Sequence, residues 1–427
     1  MSVPGSPAAG TSTAEPANAT TIWDKFAPLQ ARVDMVRKIG VDPFGVAFDD
    51  ISGPTRGIID GREIVLAGTN NYLGLTFDAD CKQAAKDAID TYGTGTTGSR
   101  VANGTYDPHI QLERDIADHL GMANCIVFPT GFQTSLAVLS GLAGPDDMLF
   151  IDADAHACIV DGTRLSAAPT IRFRHNSPDD LDKRLRRAEG KYSGNAIVVI
   201  EGLYSMFGDV APIDEFVAVA RAHNAYTYVD EAHSYGVYGE TGCGIAEEQG
   251  VLDQVDFYAG TFSKSLASIG GFCASRHPEF ELARKVMRPY MFSASSTPSN
   301  IATAICAVEK IKFHPELREN IKARAAQLHA GLKVLGYDLA ADASPVIAAK
   351  RPNEAVAALE WNWLLENGLY VNLAVPPGTP MSTSLLRISL SAAHTEADVD
   401  LIIGKFAALK DATPELLSSL QTAIAAE

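Results

Sequence analysis

Between Cys81 and Ser293 the chain alternates short apolar runs with longer stretches of helical spacing, and this alternation constrains the fold more than any other feature. The runs are Asn124–Phe128, Met148–Ile151, Ala196–Ile200, Ala225–Val229, Val255–Ala259 and Gly271–Ala274. Such a pattern predicts a mixed, mostly parallel sheet covered by helices on both faces. After Ser295 the spacing turns to long helical segments over about 298–335. It then gives an alternating strand at Leu385–Leu390 and a last helical region, which together read as a smaller α+β domain.

The remaining segments set the domain plan. Residues 1–20 are rich in Ala, Ser, Thr, Pro and Gly and read as a disordered tail. Trp23, Phe26, Leu29, Val33 and Val36 recur at spacings of three and four, so an amphipathic helix is expected to end near Gly40. A hairpin is expected from Arg56–Ile59 and Glu63–Ala67, turning at Asp60-Gly61. The expected division is a tail (1–20), an N-terminal helix and arm (21–75), a large domain (76–295) and a small C-terminal domain (296–427).

At 427 residues the chain can bury a substantial core, and its net charge of −17 argues against nucleic acid as a partner. Six scattered cysteines without a C-x-x-C pair predict neither a zinc site nor a disulfide framework. No stretch approaches the roughly 18 apolar residues of a membrane span, and the first 20 residues lack the pattern of a secretory signal. The expected location is the cytoplasm.

Residues suited to chemistry fall at the ends of the apolar runs. Lys264, in T-F-S-K-S (261–265), has small hydroxylated neighbours able to donate to a phosphate, and a lysine in a cleft can become a usable amine. Asp230 ends the run Tyr226–Val229, where α/β sheets bind ligands and a carboxylate could keep a pyridinium protonated. His233 follows within reach of a ring hydroxyl. Thr130-Gly131-Phe132 opens a helix after a strand, a favourable place for phosphate. His156 is suited to stacking on a planar ring, Ser205 to a hydrogen bond with its hydroxyl, and Arg387 to a bidentate grip on a carboxylate. Each feature alone is commonplace, a helix cap or a solvated side chain. Their order along one sheet edge is not. Gly93–Gly98 matches G-x-G-x-x-G but follows a helical segment rather than a strand, so it reads as a flexible loop near the site and not as a dinucleotide motif.

These residues resemble the α-oxoamine synthases, fold-type I pyridoxal-phosphate enzymes of the aspartate aminotransferase-like class, from about Trp23 to the C-terminus. The shared strings are N-Y-L-G-L (71–75), G-S-R (98–100), V-D-E-A-H-S (229–234), T-F-S-K-S (261–265) and L-R-I-S (386–389). Likeness to the bacterial serine palmitoyltransferase branch rests on D-P-F-G-V (42–46), R-F-R-H-N-S (172–177) with D-L-D-K-R-L (180–185), E-G-L-Y-S-M-F-G-D (201–209) and R-P-Y-M-F-S-A-S (288–295). The resemblance implies pyridoxal 5'-phosphate held as a Schiff base on Lys264, stacked under His156, with Asp230 at the pyridine nitrogen and His233 at the ring oxygen. It implies phosphate binding by Gly131, Phe132, Thr261 and Ser263, with Ser293 reaching the phosphate in the neighbouring subunit of a homodimer. Asn71 and Tyr72 would join Arg387 and His156 around the substrate.

The implied reaction condenses L-serine with a long-chain fatty acyl thioester, with loss of carbon dioxide, to 3-ketodihydrosphingosine. Acyl-CoA is the default donor, and an acyl carrier protein the alternative. Three positions depart from the pattern: Phe132 stands where Tyr is frequent, Thr97 where similar enzymes have Asn, and Val375 where some have a carboxylate-binding Arg. The rival within the family is a synthase that uses glycine or alanine, such as 2-amino-3-ketobutyrate ligase or 8-amino-7-oxononanoate synthase. The rival outside it is a non-catalytic subunit, which would be expected to lack the lysine.

Overall fold

The computed structural model describes residues 21–376, 378–379 and 383–425, and the tail expected over 1–20 lies outside them. The expected hairpin is present: β1 (Asp50–Gly53), β2 (Arg56–Ile59) and β3 (Arg62–Leu66) form an antiparallel ribbon. Asp60 and Gly61 both have positive φ, 50° and 70°, the backbone that a two-residue turn of matching twist requires.

The central sheet has seven strands: β4 (Asn124–Phe128), β5 (Met148–Asp152), β6 (Thr170–Phe173), β7 (Ala196–Glu201), β8 (Tyr226–Asp230), β9 (Phe257–Thr261) and β10 (Gly271–Ser275). Their order is β4-β10-β9-β8-β7-β5-β6, parallel from β9 to β6, with β10 antiparallel to both of its neighbours. Six of the seven were legible as apolar runs. β6 was not, because it is a four-residue edge strand with Thr170 and Arg172 exposed and so has no continuous apolar run. Alternate residues bury on opposite faces. Phe150, Val198 and Ile200 enter one core, and Leu149, Ile151 and Val199 enter the other.

The second unit contains β11 (Val346–Arg351), β12 (Leu369–Tyr370), β13 (Asn372–Ala374) and β14 (Ser384–Ser389), packed on the helices Pro315–Val334, Glu354–Glu366 and Glu396–Ala425. The arm belongs to this unit rather than standing apart. β3 pairs in parallel with β12, and Ile59, Ile64 and Leu66 share a core with Leu328, Trp361 and Phe406. No local pattern in the arm could announce that partner, some 300 residues away.

The glycine-rich loop follows the helix Ala79–Tyr92 and is tied down rather than loose. The Ser295 amide donates to Gly98 O at 3.0 Å, and the Ser295 hydroxyl donates to Thr96 Oγ1 at 2.8 Å. Within this loop Thr97 has φ 58°. A β-branched residue is disfavoured in left-handed backbone, whereas Asn tolerates it. Thr97→Asn is therefore expected to raise stability by about 1 kcal/mol, read as a higher denaturant midpoint. A lower midpoint would mean that the 3.3 Å contact from Asn103 Nδ2 to the Thr97 hydroxyl outweighs the strain.

Candidate active site

The carboxyl ends of β4 to β9 deliver polar groups to one edge of the sheet, where ligands bind in open α/β folds. Two adjoining cavities, of about 370 Å³ and about 650 Å³, open there, and Lys264, His156 and His233 line both. The smaller is walled by Thr130, Gly131, Phe132, Asp230, Thr261 and Ser263, so the structure brings the expected cofactor residues together.

The floor of this cavity is an anion cradle. Thr130 caps the helix Gly131–Leu142 by accepting from the Gln133 amide at 3.1 Å, which leaves the first backbone amides directed outward. A Cβ on Gly131 would lie 2.6 Å from Thr261 Oγ1, so only glycine lets strand and helix start approach this closely. Thr261 and Ser263 hydroxyls sit 2.9 Å apart beside them. Helix start, two hydroxyls, a lysine and a ring-sized space fit pyridoxal phosphate.

Charges are arranged around that space. Burial pulls the Lys264 amine down to about 8, against the opposing pull of Asp230 and Glu201. Burial raises Asp230, while Lys264 and His156 hold it toward the ionised form; its carboxylate also accepts from the Ala232 amide at 3.0 Å. Its neighbour across the strands, Glu201, is raised well above the usual carboxylate range by burial and by Asp230. Glu201 Oε1 accepts from the His156 amide at 2.6 Å, fixing the start of the segment that carries the imidazole. Sequence reading missed Glu201, which ends its apolar run and looked like an ordinary strand terminus.

Both histidines are held below the ordinary imidazole range. Burial lowers His156, whose Nδ1 accepts from the Cys158 amide at 3.2 Å, and its exposed ring faces the cavity space. Burial, with Lys264 and Arg387 nearby, lowers His233 well below the usual range. Tyr72 is held protonated, its hydroxyl pushed up to about 12 by burial, and lies 2.6 Å from His233 Nδ1.

The larger cavity holds the second half of the site. Arg387, on β14, is 5% exposed; its Nε donates to Ser205 O at 2.6 Å and its Nη1 to Ser389 Oγ at 2.7 Å. No carboxylate pairs with it among the described residues. Asn70, at 3.3 Å from Nη2, lines this cavity. Asn71 does not: its amide turns to Thr76 Oγ1 at 2.8 Å, and Tyr72 stands behind His233 rather than in the wall. Neighbouring residues in an irregular segment point in different directions, so the string N-Y-L-G-L identified the segment but not the side chain. Ser205 sits with Arg387 in the larger cavity and not in the smaller one. Ser293 lines neither; its hydroxyl accepts from Gln133 Nε2 at 3.1 Å. The rest of the larger wall carries Asp42, Glu354 and Asn372 among a mainly apolar lining that includes Leu29, Val33, Phe44, Trp361, Leu373 and Val375.

Comparison with known proteins agrees with this geometry. The family described as Aminotransferase class I and II matches residues 62–406. A serine palmitoyltransferase of Caulobacter vibrioides is 48% identical over 382 residues, covering 90% of this chain and 94% of that protein. A solved serine palmitoyltransferase from S. paucimobilis, with a bound PLP-myriocin aldimine, superposes with a TM-score of 0.91 at 43% identity, covering 92% of this chain and all of that one. A putative 8-amino-7-oxononanoate synthase of Acetivibrio thermocellus is more distant, 35% identical over 347 residues, covering 81% of this chain and 88% of that protein.

Proposed function

We propose, from the premise that this chain belongs to the aminotransferase class I and II family and within it to the serine palmitoyltransferases, that its two cavities join L-serine to a long-chain acyl thioester. It is a pyridoxal-phosphate enzyme. The observation that carries the substrate reading is Arg387, a buried guanidinium without a carboxylate partner among the described residues, opening beside Lys264 onto a mainly apolar cavity. A buried charge left unpaired is costly, and an amino-acid carboxylate would satisfy it bidentately.

Pyridoxal phosphate bound in the smaller cavity supplies a ring that withdraws the electron pair left when the amino acid's α-proton departs. Gly131, Phe132, Thr261 and Ser263 hold its phosphate, and Asp230 keeps a positive charge on the pyridine nitrogen. His156 offers a planar face, and His233 an imidazole nitrogen for the ring oxygen. Lys264 would anchor the cofactor through its Nζ, and its amine, pulled down to about 8, would take and return the α-proton. Serine's α-carbon then bonds to the acyl carbonyl carbon, the thiol leaves, and the serine carboxylate departs as carbon dioxide. The apolar wall from Leu29 to Val375 receives the acyl chain.

A homodimer is part of this proposal, and the same surface supports it. Phe132 and Ile269 line the smaller cavity yet are exposed, and Phe292 beside Ser293 is 71% exposed. A second copy laid over them would close the cavity and bring in Ser293. The donor is proposed to be an acyl-CoA. Among the described residues no helix is long and apolar enough to cross a membrane.

The test is a titration of the holoenzyme with serine, glycine and alanine, followed by absorbance, and then turnover with radiolabelled serine against acyl-CoA and acyl-carrier donors. Serine is expected to perturb the spectrum and to turn over with long-chain acyl-CoA. Productive spectra with glycine or alanine but not serine would overturn the assignment.

A further inference from the structure

Two strings that mark the branch, R-F-R-H-N-S (172–177) and E-G-L-Y-S-M-F-G-D (201–209), meet outside the cavities. His175 lies between them and the end of β5. Its Nδ1 is 2.8 Å from Asp152 Oδ1 and its Nε2 is 2.7 Å from Asp209 Oδ2. With a carboxylate at each nitrogen both must donate, so the ring is an imidazolium. Asn176 doubles the clamp: its amide donates to Asp152 Oδ2 at 2.9 Å and its Nδ2 to Asp209 Oδ2 at 2.7 Å. Tyr204 stands edge-on to the His175 ring, 4.5 Å between centroids.

Asp209 closes a tight loop. The Tyr204 amide donates to Asp209 O at 2.9 Å, and Leu203 bridges Val210. The same loop carries Ser205 and Met206 into the larger cavity and offers Ser205 O to Arg387 Nε. Arg387 has no acidic partner to hold it among the described residues, so neutral acceptors set its direction, and this carbonyl, at 2.6 Å, is the shortest of them.

We propose that His175 is a positioning residue for the amino-acid site: by clamping Asp209 to Asp152 it fixes the 202–210 loop, whose Ser205 carbonyl orients Arg387 toward the substrate carboxylate. This rests on the reading of Arg387 as the carboxylate clamp. The charged and titratable groups facing His175 are Asp152 at the end of β5, Asp154 just after it, and Tyr204 and Asp209 in the loop, with Arg172 on its own segment. Burial disfavours the imidazolium, but the hydrogen bonds to Asp152 and Asp209 outweigh it and push His175 up to about 10. A group raised above its free value of about 6.5 contributes stability that is whole below that pH and is lost as pH rises through the folded value.

The experiment compares wild-type holoenzyme with His175→Gln, Asp209→Asn and Arg387→Lys. Both loop variants are expected to raise the KM for serine about tenfold, with kcat and the acyl-donor KM changed by less than about threefold, because orientation of one substrate is what is lost. The melting-temperature advantage of wild type over His175→Gln should be largest below about pH 6.5 and vanish toward pH 10. If His175→Gln does not fold, Asp209→Asn and an NMR titration of the wild-type imidazole decide. A serine KM within about twofold of wild type in the folded variants, or an imidazole that titrates near 6.5, overturns the proposal. Should Arg387→Lys raise the serine KM while the loop variants leave it unmoved, the proposal fails alone. Should Arg387→Lys leave it unmoved, the clamp reading fails and the proposal with it.

Discussion

Lys264→Ala is expected to lower turnover by about 10³-fold or more, because one positioned acid–base group contributes on the order of 10²–10⁴ and the same side chain anchors the cofactor. Visible absorbance of the bound cofactor should shift in the same variant, since the amine that holds it is gone. The fold should survive: among the described residues the Lys264 side chain forms no hydrogen bond or ion pair, the backbone bond from the Ala267 amide to Lys264 O is kept on substitution, and the side chain faces both cavities. Wild-type activity should rise with pH through about 8 as the free amine fraction grows. The check is radiolabelled serine turnover together with an absorbance scan. A Lys264→Ala protein that kept wild-type turnover would remove the lysine from the mechanism.

Asp230→Asn is expected to lose about 10²–10³ in kcat, the scale seen when one preorganised charge opposite a developing charge is removed. The change keeps the volume and one acceptor, so the Ala232 amide keeps a partner and the melting temperature should move little. What disappears is the negative charge. Glu201 is a poor replacement, because burial, the largest cause of its raised pKa, persists in the variant. Single-turnover kinetics with serine should place the loss in removal of the α-proton rather than in substrate binding. Equal losses in cofactor affinity and kcat would instead make Asp230 a binding group only.

Much of the smaller cavity was legible because its residues follow strands of strong local pattern. The apolar runs put Thr130, His156, Asp230 and Lys264 at or just past the ends of four strands, and a parallel sheet brings such ends to one edge. The hairpin turn was equally local: Asp60 and Gly61 tolerate the positive φ that it needs. Other features depended on partners that no window of sequence contains. Asn70 rather than Asn71 faces Arg387, the pair being 317 residues apart. Tyr72 meets His233 across 161 residues, and that contact holds the imidazole in place.

What the sequence by itself determined was therefore a mostly parallel sheet, the order of polar groups along its edge, and a family likeness that named a cofactor. Periodicity and turn chemistry act over a few residues, and there the sequence is explicit. Tertiary structure alone decided that the arm completes the core of the second unit, that Glu201 supports the His156 backbone, and that Ser205 belongs with Arg387. Those outcomes depend on long-range packing and on the burial that shifts each charge. Neither exists until the chain has folded.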